Sequence, residues 1–161
     1  MHAFRLASCF AVWIPIGCLS AQSCIALSRS AITSGGIAVM QLTLYSPAGD
    51  APSGVQWTLE NTAPVSNISS LTVEPGPQLE AAGKTLTCTS GPSAYTCVAI
   101  GFNANAITNG TVAKITAAVS PGARSVGIRL ANPMAVTGKG YFVPVRPAPD
   151  CRFYPRWRRR S

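Results

Sequence analysis

The chain has 161 residues, 47% of them apolar and 11% charged, which is enough for one domain with its own core and excludes a disordered chain, a coiled coil or a helical repeat. Thirteen Lys and Arg against five Asp and Glu give a formal charge of +8, but Arg146, Arg152, Arg156, Arg158, Arg159 and Arg160 crowd the C-terminus and Arg5 lies near the start. Between Gln22 and Val145 only six basic residues face four acidic ones, so charge does not make the body a nucleic-acid-binding surface.

At the N-terminus Arg5 precedes an apolar run from Leu6 to Leu19 that ends in the small residues Ser20 and Ala21. This is the layout of a secretory signal peptide over residues 1–21, with cleavage expected after Ala21 although Leu19 is larger than the small residue such sites favour. Lipidation of Cys18 is disfavoured by Pro15, which stands where a branched aliphatic is expected. The run of about fourteen residues is also shorter than the ~20 a spanning helix needs. The expectation is an exported chain, soluble or surface-attached.

Along the body the apolar residues alternate with period two. Met40, Leu42 and Leu44 share one face of a strand; Val55, Trp57 and Leu59 share one face of the next, with Gln56, Thr58 and Glu60 opposite. Further strands are expected over Ser69–Val73, Thr85–Cys88, Tyr95–Phe102, Thr111–Val119, Ser125–Leu130 and Ala135–Val143, the last with a Gly-Lys-Gly break, which adds Ile115, Val126 and Ile128 to the candidate core. Turn chemistry separates them at 46–54, Pro75-Gly76-Pro77, Asn109-Gly110, Ser120-Pro121-Gly122 and Asn132-Pro133. Short helical turns are expected over Gly101–Ile107 and Leu79–Ala82. Eight or nine short strands with turns every ten or so residues describe an all-β, antiparallel sandwich of jelly-roll or immunoglobulin-like type over residues 22–145. From Pro144 the chain reads as a Pro- and Arg-rich tail outside the core, and 146–161 as disordered on composition alone.

Export makes the cysteines legible, since oxidising compartments favour disulfides. Removing the signal leaves Cys24, Cys88, Cys97 and Cys151, with three pairings open. Cys88 and Cys97 flank a Ser-Gly-Pro-Ser turn and suit a cross-strand bridge; Cys24 and Cys151 then bracket the body and suit a bridge joining its ends. No metal site is expected, because the one histidine, His2, lies in the signal and no two cysteines have zinc-site spacing. No cofactor is expected either.

The same missing histidine excludes Ser-His-Asp and Cys-His catalysis in the mature chain. Glu60 and Glu74 are the one acidic pair conceivable for a glycosidase, and they read more simply as solvated strand-end charges. The expectation is a non-enzyme. Polysaccharide binding would use exposed rings; Trp57 is in phase with the core, which leaves Tyr45 and Tyr95 as candidate ligand contacts. In the tail Arg152, Arg156, Arg158, Arg159 and Arg160 are mixed with aromatics, which suits an acidic polymer, a lipid headgroup surface or nucleic acid. The signatures of a dedicated nucleic-acid module are missing, so no nucleic-acid partner is expected. Asn67-Ile68-Ser69 and Asn109-Gly110-Thr111 are glycosylation sequons of the kind that arise by chance.

The order of Ile37 to Leu44, Val55-Gln56-Trp57-Thr58-Leu59, Asn109 to Ile115 and a closing strand Gly140 to Val145 resembles a bacterial cohesin-type module, of the sandwich superfamily that includes the cellulose-binding modules of the second and third families. The resemblance covers about residues 30–145. It implies a nine-stranded jelly roll without catalysis, which in cellulosomes binds a calcium-loaded dockerin through one sheet face. The chain departs from that setting: it carries no dockerin-like calcium loop and no enzyme domain, and the Cys88–Cys97 hairpin and basic tail are unlike a cellulosomal cohesin. The expectation is therefore a secreted module for extracellular protein recognition or adhesion, with an extracellular protein partner, dockerin-like or other. The alternatives are a polysaccharide-binding module and a structural piece of a surface assembly.

Overall fold

The computed structural model describes residues 22–148 apart from 30–31, 34–35, 63–66 and 124–126. Residues 1–21, Val126, Cys151 and the tail arginines Arg152, Arg156, Arg158, Arg159 and Arg160 lie outside the described residues.

Among the described residues ten strands and one short helix follow in chain order: β1 (Ser23–Leu27), β2 (Ile37–Tyr45), β3 (Gly54–Asn61), β4 (Ile68–Pro75), α1 (Pro77–Ala81), β5 (Thr85–Ser90), β6 (Ala94–Ile100), β7 (Gly110–Val119), β8 (Ile128–Val136), β9 (Phe142–Val143) and β10 (Val145–Ala148). They form two five-stranded sheets, ordered β10-β1-β2-β7-β4 and β5-β6-β3-β8-β9. Pairing is antiparallel except where β1 meets β10.

The alternation in the sequence becomes the two-faced burial of the sheets. On β2 the residues Ala38, Met40, Leu42 and Leu44 are buried while Ile37, Val39, Gln41 and Tyr45 are exposed. Val55, Trp57 and Leu59 of β3, with Cys97 and Ala99 of β6, face these buried β2 residues and Val112, Ala113, Ile115 and Ala117 of the neighbouring β7 across the sandwich, all in one core cluster. Each large aliphatic side chain so buried contributes about 1.5–3 kcal/mol. Ile128 packs half-buried against that cluster. The short helix closes one end: Pro77 occupies its first turn, where the missing N–H costs nothing, and Leu79 is fully buried.

Four features differ from the sequence expectation. First, β8 runs unbroken through Asn132-Pro133, which is not a turn between two strands. The register steps from Gln56↔Met134 to Thr58↔Ala131, so Trp57 faces two residues. Asn132 takes φ 46° there, and Pro133, with no N–H to give the ladder, sits at such a bulge without loss. Second, residues 101–107 hold no helix. Lys84 Nζ donates to Asn103 O at 3.0 Å and to its Oδ1 at 2.7 Å, Asn103 Nδ2 donates to Gly83 O, and Ile107 N–H donates to Pro52 O. Tertiary partners thus take groups that a helix would have paired.

Third, β1 precedes the first expected strand. Ser23 to Ala26 are all buried, so β1 carries no alternation for a period-two search to find. Fourth, the closing strand is split at Pro144. Phe142 and Val143 pair with β8, whereas Val145 to Ala148 pair with Ser23 to Ala26 in the other sheet. Sheet structure therefore runs to Ala148, three residues into the 146–161 segment read as disordered.

Candidate functional site

Alternation along β5, β6, β3, β8 and β9 leaves one broad surface on the solvent side of that sheet. Its rows follow from the registers. Thr87, Val98, Gln56 and Met134 make one row, and Thr89, Thr96, Thr58 and Ala131 the next. Ala94, Glu60 and Arg129 form the row at one end, where Arg129 and Glu60 are ion-paired. At the opposite end Thr85 and Ile100 lead to Gly54, Val136 and Phe142.

The surface is graded in polarity. At the apolar end Ile100, Met134 and Phe142 are 57%, 45% and 72% exposed. A Cβ on Gly54 would lie 3.0 Å from Val136 Cγ2 and 3.3 Å from Ile100 Cγ2, so those two side chains close over the glycine and make the patch continuous. Phe102, just past β6, and Tyr141, just before β9, are also exposed at this end. The middle is hydroxylic: Thr58 Oγ1 and Thr96 Oγ1 are 3.2 Å apart, and Gln56 Nε2 donates weakly to Met134 Sδ at 3.8 Å. Lys84, at the turn into β5, has its ammonium directed to Asn103, and burial pulls it below the ordinary lysine range.

The structure separates the residues singled out by sequence. Tyr45 is 46% exposed but belongs to β2 in the other sheet. Tyr95 is half-buried against the core and lines a cleft of about 220 Å³ with Leu59, Ser70, Ser90, Ser93 and Ile128. The two tyrosines therefore do not share a surface. Glu60 and Glu74 stand on different sheets, and each has its own ion partner, Arg129 and Lys114. The exposed rings that sequence reasoning passed over are Phe102, Tyr141 and Phe142. Their signal was local: Phe102 lies between Gly101 and Asn103, and of two adjacent strand residues such as Phe142 and Val143 one must face outward.

Cys88 and Cys97 form the cross-strand disulfide. Cys24 is buried and disulfide-bonded, and Cys151 lies outside the described residues. Among the described residues no cluster of His, Cys, Asp or Glu could hold a metal ion, and no helix is long and apolar enough to cross a membrane.

No family model matches the sequence, and no curated protein matches it. Solved structures do match. The sixth cohesin of scaffoldin B from Acetivibrio cellulolyticus, solved in complex with a dockerin, superposes with a TM-score of 0.67 at 10% identity over 80% of this chain and 95% of that one. The fold is that of a cohesin module. A non-cellulosomal cohesin from the archaeon Archaeoglobus fulgidus gives 0.59 at 14% identity, covering 79% and 86%. The second type II cohesin module of the ScaA scaffoldin of Acetivibrio cellulolyticus gives 0.61 at 11%, covering 79% and 95%. The cohesin likeness thus covers about four fifths of this chain, while at these identities it speaks for the fold and not for a site.

Proposed function

We propose that this chain is a secreted, non-catalytic binding module for protein recognition at the cell exterior, and that the outer face of the β5-β6-β3-β8-β9 sheet receives the partner. The observation that carries this reading is the graded surface itself. An aliphatic and aromatic cluster of Ile100, Met134, Val136 and Phe142 passes into a threonine-rich centre and ends in the Glu60–Arg129 ion pair. Protein interfaces are built in this way, with an apolar anchor and a polar rim. The cohesins it resembles include ones solved with dockerins bound, which supports a protein partner. Export rests on the leader-like residues 1–21 and suits the Cys88–Cys97 disulfide.

A second reading, polysaccharide binding, draws on the exposed Phe102, Tyr141 and Phe142. Against it, the patch between those rings is aliphatic, and sugars gain more from ring faces than from Ile or Met side chains. Retention of the full oxidised chain on insoluble cellulose, chitin and xylan is to be compared with capture of secreted proteins from its host, for the wild type and for Ile100→Lys/Met134→Lys. Protein capture lost in the double variant, with no retention on any polymer, supports the proposal. Retention that falls with Phe142→Ala moves the reading to a carbohydrate-binding module.

A further inference from the structure

A sheet that ends in an open edge normally carries a device that prevents pairing with another chain. Three of the four edge strands here do. β4 holds Glu74 and Pro75 and is irregular between Ile68 and Ser70; β9 is two residues long; β10 contains Arg146 and Pro147. β5 alone among the described edges has none: Thr85-Leu86-Thr87-Cys88-Thr89-Ser90 has no charge, no proline and no register shift.

Which of its peptide groups are free follows from the disulfide pair. Cys88 and Cys97 have Cα atoms 4.1 Å apart, the close spacing of a non-hydrogen-bonded antiparallel pair. The N–H and C=O of Cys88 therefore point away from β6, and by alternation so do those of Leu86 and Ser90. The bond from Gly91 N–H to Ala94 O fits this parity, since Gly91 is out of step with those three. So does the bond from Lys84 N–H to Leu79 O, by which α1 covers the first position of the edge. Leu86, Cys88 and Ser90 exchange no other backbone hydrogen bond among the described residues.

We infer that β5 pairs antiparallel with β5 of a second copy of this chain, about a two-fold axis at Cys88. In that register Cys88 faces Cys88 of the other copy and Leu86 faces its Ser90. Three residue pairs then exchange two backbone bonds each, so every free group on both edges is used. On the outer face Thr87 comes opposite Thr89 of the other copy, a favourable cross-strand pair. On the inner side the half-exposed Leu86 and Cys88 are covered. The occupant is a second copy because this edge is complementary to itself: the strand has no charge to repel its equal, and the lysine beside it, Lys84, is already bound to Asn103. The outer faces of the two copies become one surface, whatever that surface binds.

The test is sedimentation velocity of the full oxidised chain over a concentration series, with two variants on exposed positions, Thr87→Lys/Thr89→Lys and Thr87→Glu/Thr89→Glu. The wild type is expected to dimerise. Each variant alone opposes like charges twice across the axis and should weaken dimerisation by about a hundredfold. An equimolar mixture of the two variants should restore it, because the proposed register sets each introduced lysine opposite an introduced glutamate, a contact read as heterodimer formation. A wild type that stays monomeric throughout overturns the inference. So does a lysine variant that dimerises as the wild type does, or a mixture that fails to associate.

Discussion

Replacing Cys88 and Cys97 together by alanine opens a loop of sequence separation 9, and the cost can be worked from that length. In the chain-entropy treatment, closing so short a loop removes about 8.7 cal/mol/K from the unfolded ensemble, or about 2.6 kcal/mol at 25 °C. For a body of this size, at about 2 cal/mol/K per residue of unfolding entropy, the loss lowers Tm by about 10 °C. The native hairpin should survive, because β6 stays paired to β3 from Val55↔Ala99 to Glu60↔Ala94. The assay is urea unfolding of both proteins, oxidised, followed by tryptophan fluorescence from the buried Trp57. If the stabilisation acts through the unfolded state, Cys97→Val in place of alanine, which refills the fully buried position of Cys97, recovers little of the loss. A loss below about 0.5 kcal/mol, or near-complete recovery with valine, would refute the entropic reasoning.

Other expectations rest on single positions. A Cβ on Gly76 would lie 2.4 Å from Thr111 O and 2.8 Å from two backbone carbons of β7, so Gly76→Ala should cost about 1–3 kcal/mol in denaturant titration. Asn132→Gly should leave stability unchanged or raise it, while Asn132→Val, forced to φ 46°, should lose about 1–2 kcal/mol. Burial lowers the pKa of Lys84 from its ordinary 10.5, so the unfolded chain holds that proton more tightly. Stability from this group therefore rises as pH climbs through the lowered value towards 10.5, and Lys84→Met should abolish that rise in urea midpoints measured along an alkaline series.

The sandwich was legible because β2 buries one face only and β3 keeps its large apolar side chains on one face although Thr58 opposite is also buried, so Met40, Leu42 and Leu44, and Val55, Trp57 and Leu59, stand out at period two. β1 was not legible, since Ser23, Cys24, Ile25 and Ala26 are all buried and a strand covered on both sides has no alternation. Asn132-Pro133 has the composition of a turn, and only the pairing of β8 with β3 shows that the same two residues serve a bulge. The helix expected at 101–107 lost to hydrogen bonds from Lys84 and to Pro52, residues distant in sequence. For the site, Tyr45 and Tyr95 were chosen by phase and by neighbouring turns, but the face a residue presents depends on which sheet its strand joins. The patch of Ile100, Met134, Val136 and Phe142 comes from three strands, and no local pattern gathers them.

The most direct measurement of the proposed recognition face is site-specific photocrosslinking in the full chain, with a photoreactive residue at Met134 or, on the outer face of the opposite sheet, at Val39. The account predicts a protein adduct from position 134 that is lost with Ile100→Lys, and none from position 39. Adducts from position 39 alone would place recognition on the other sheet and contradict the account.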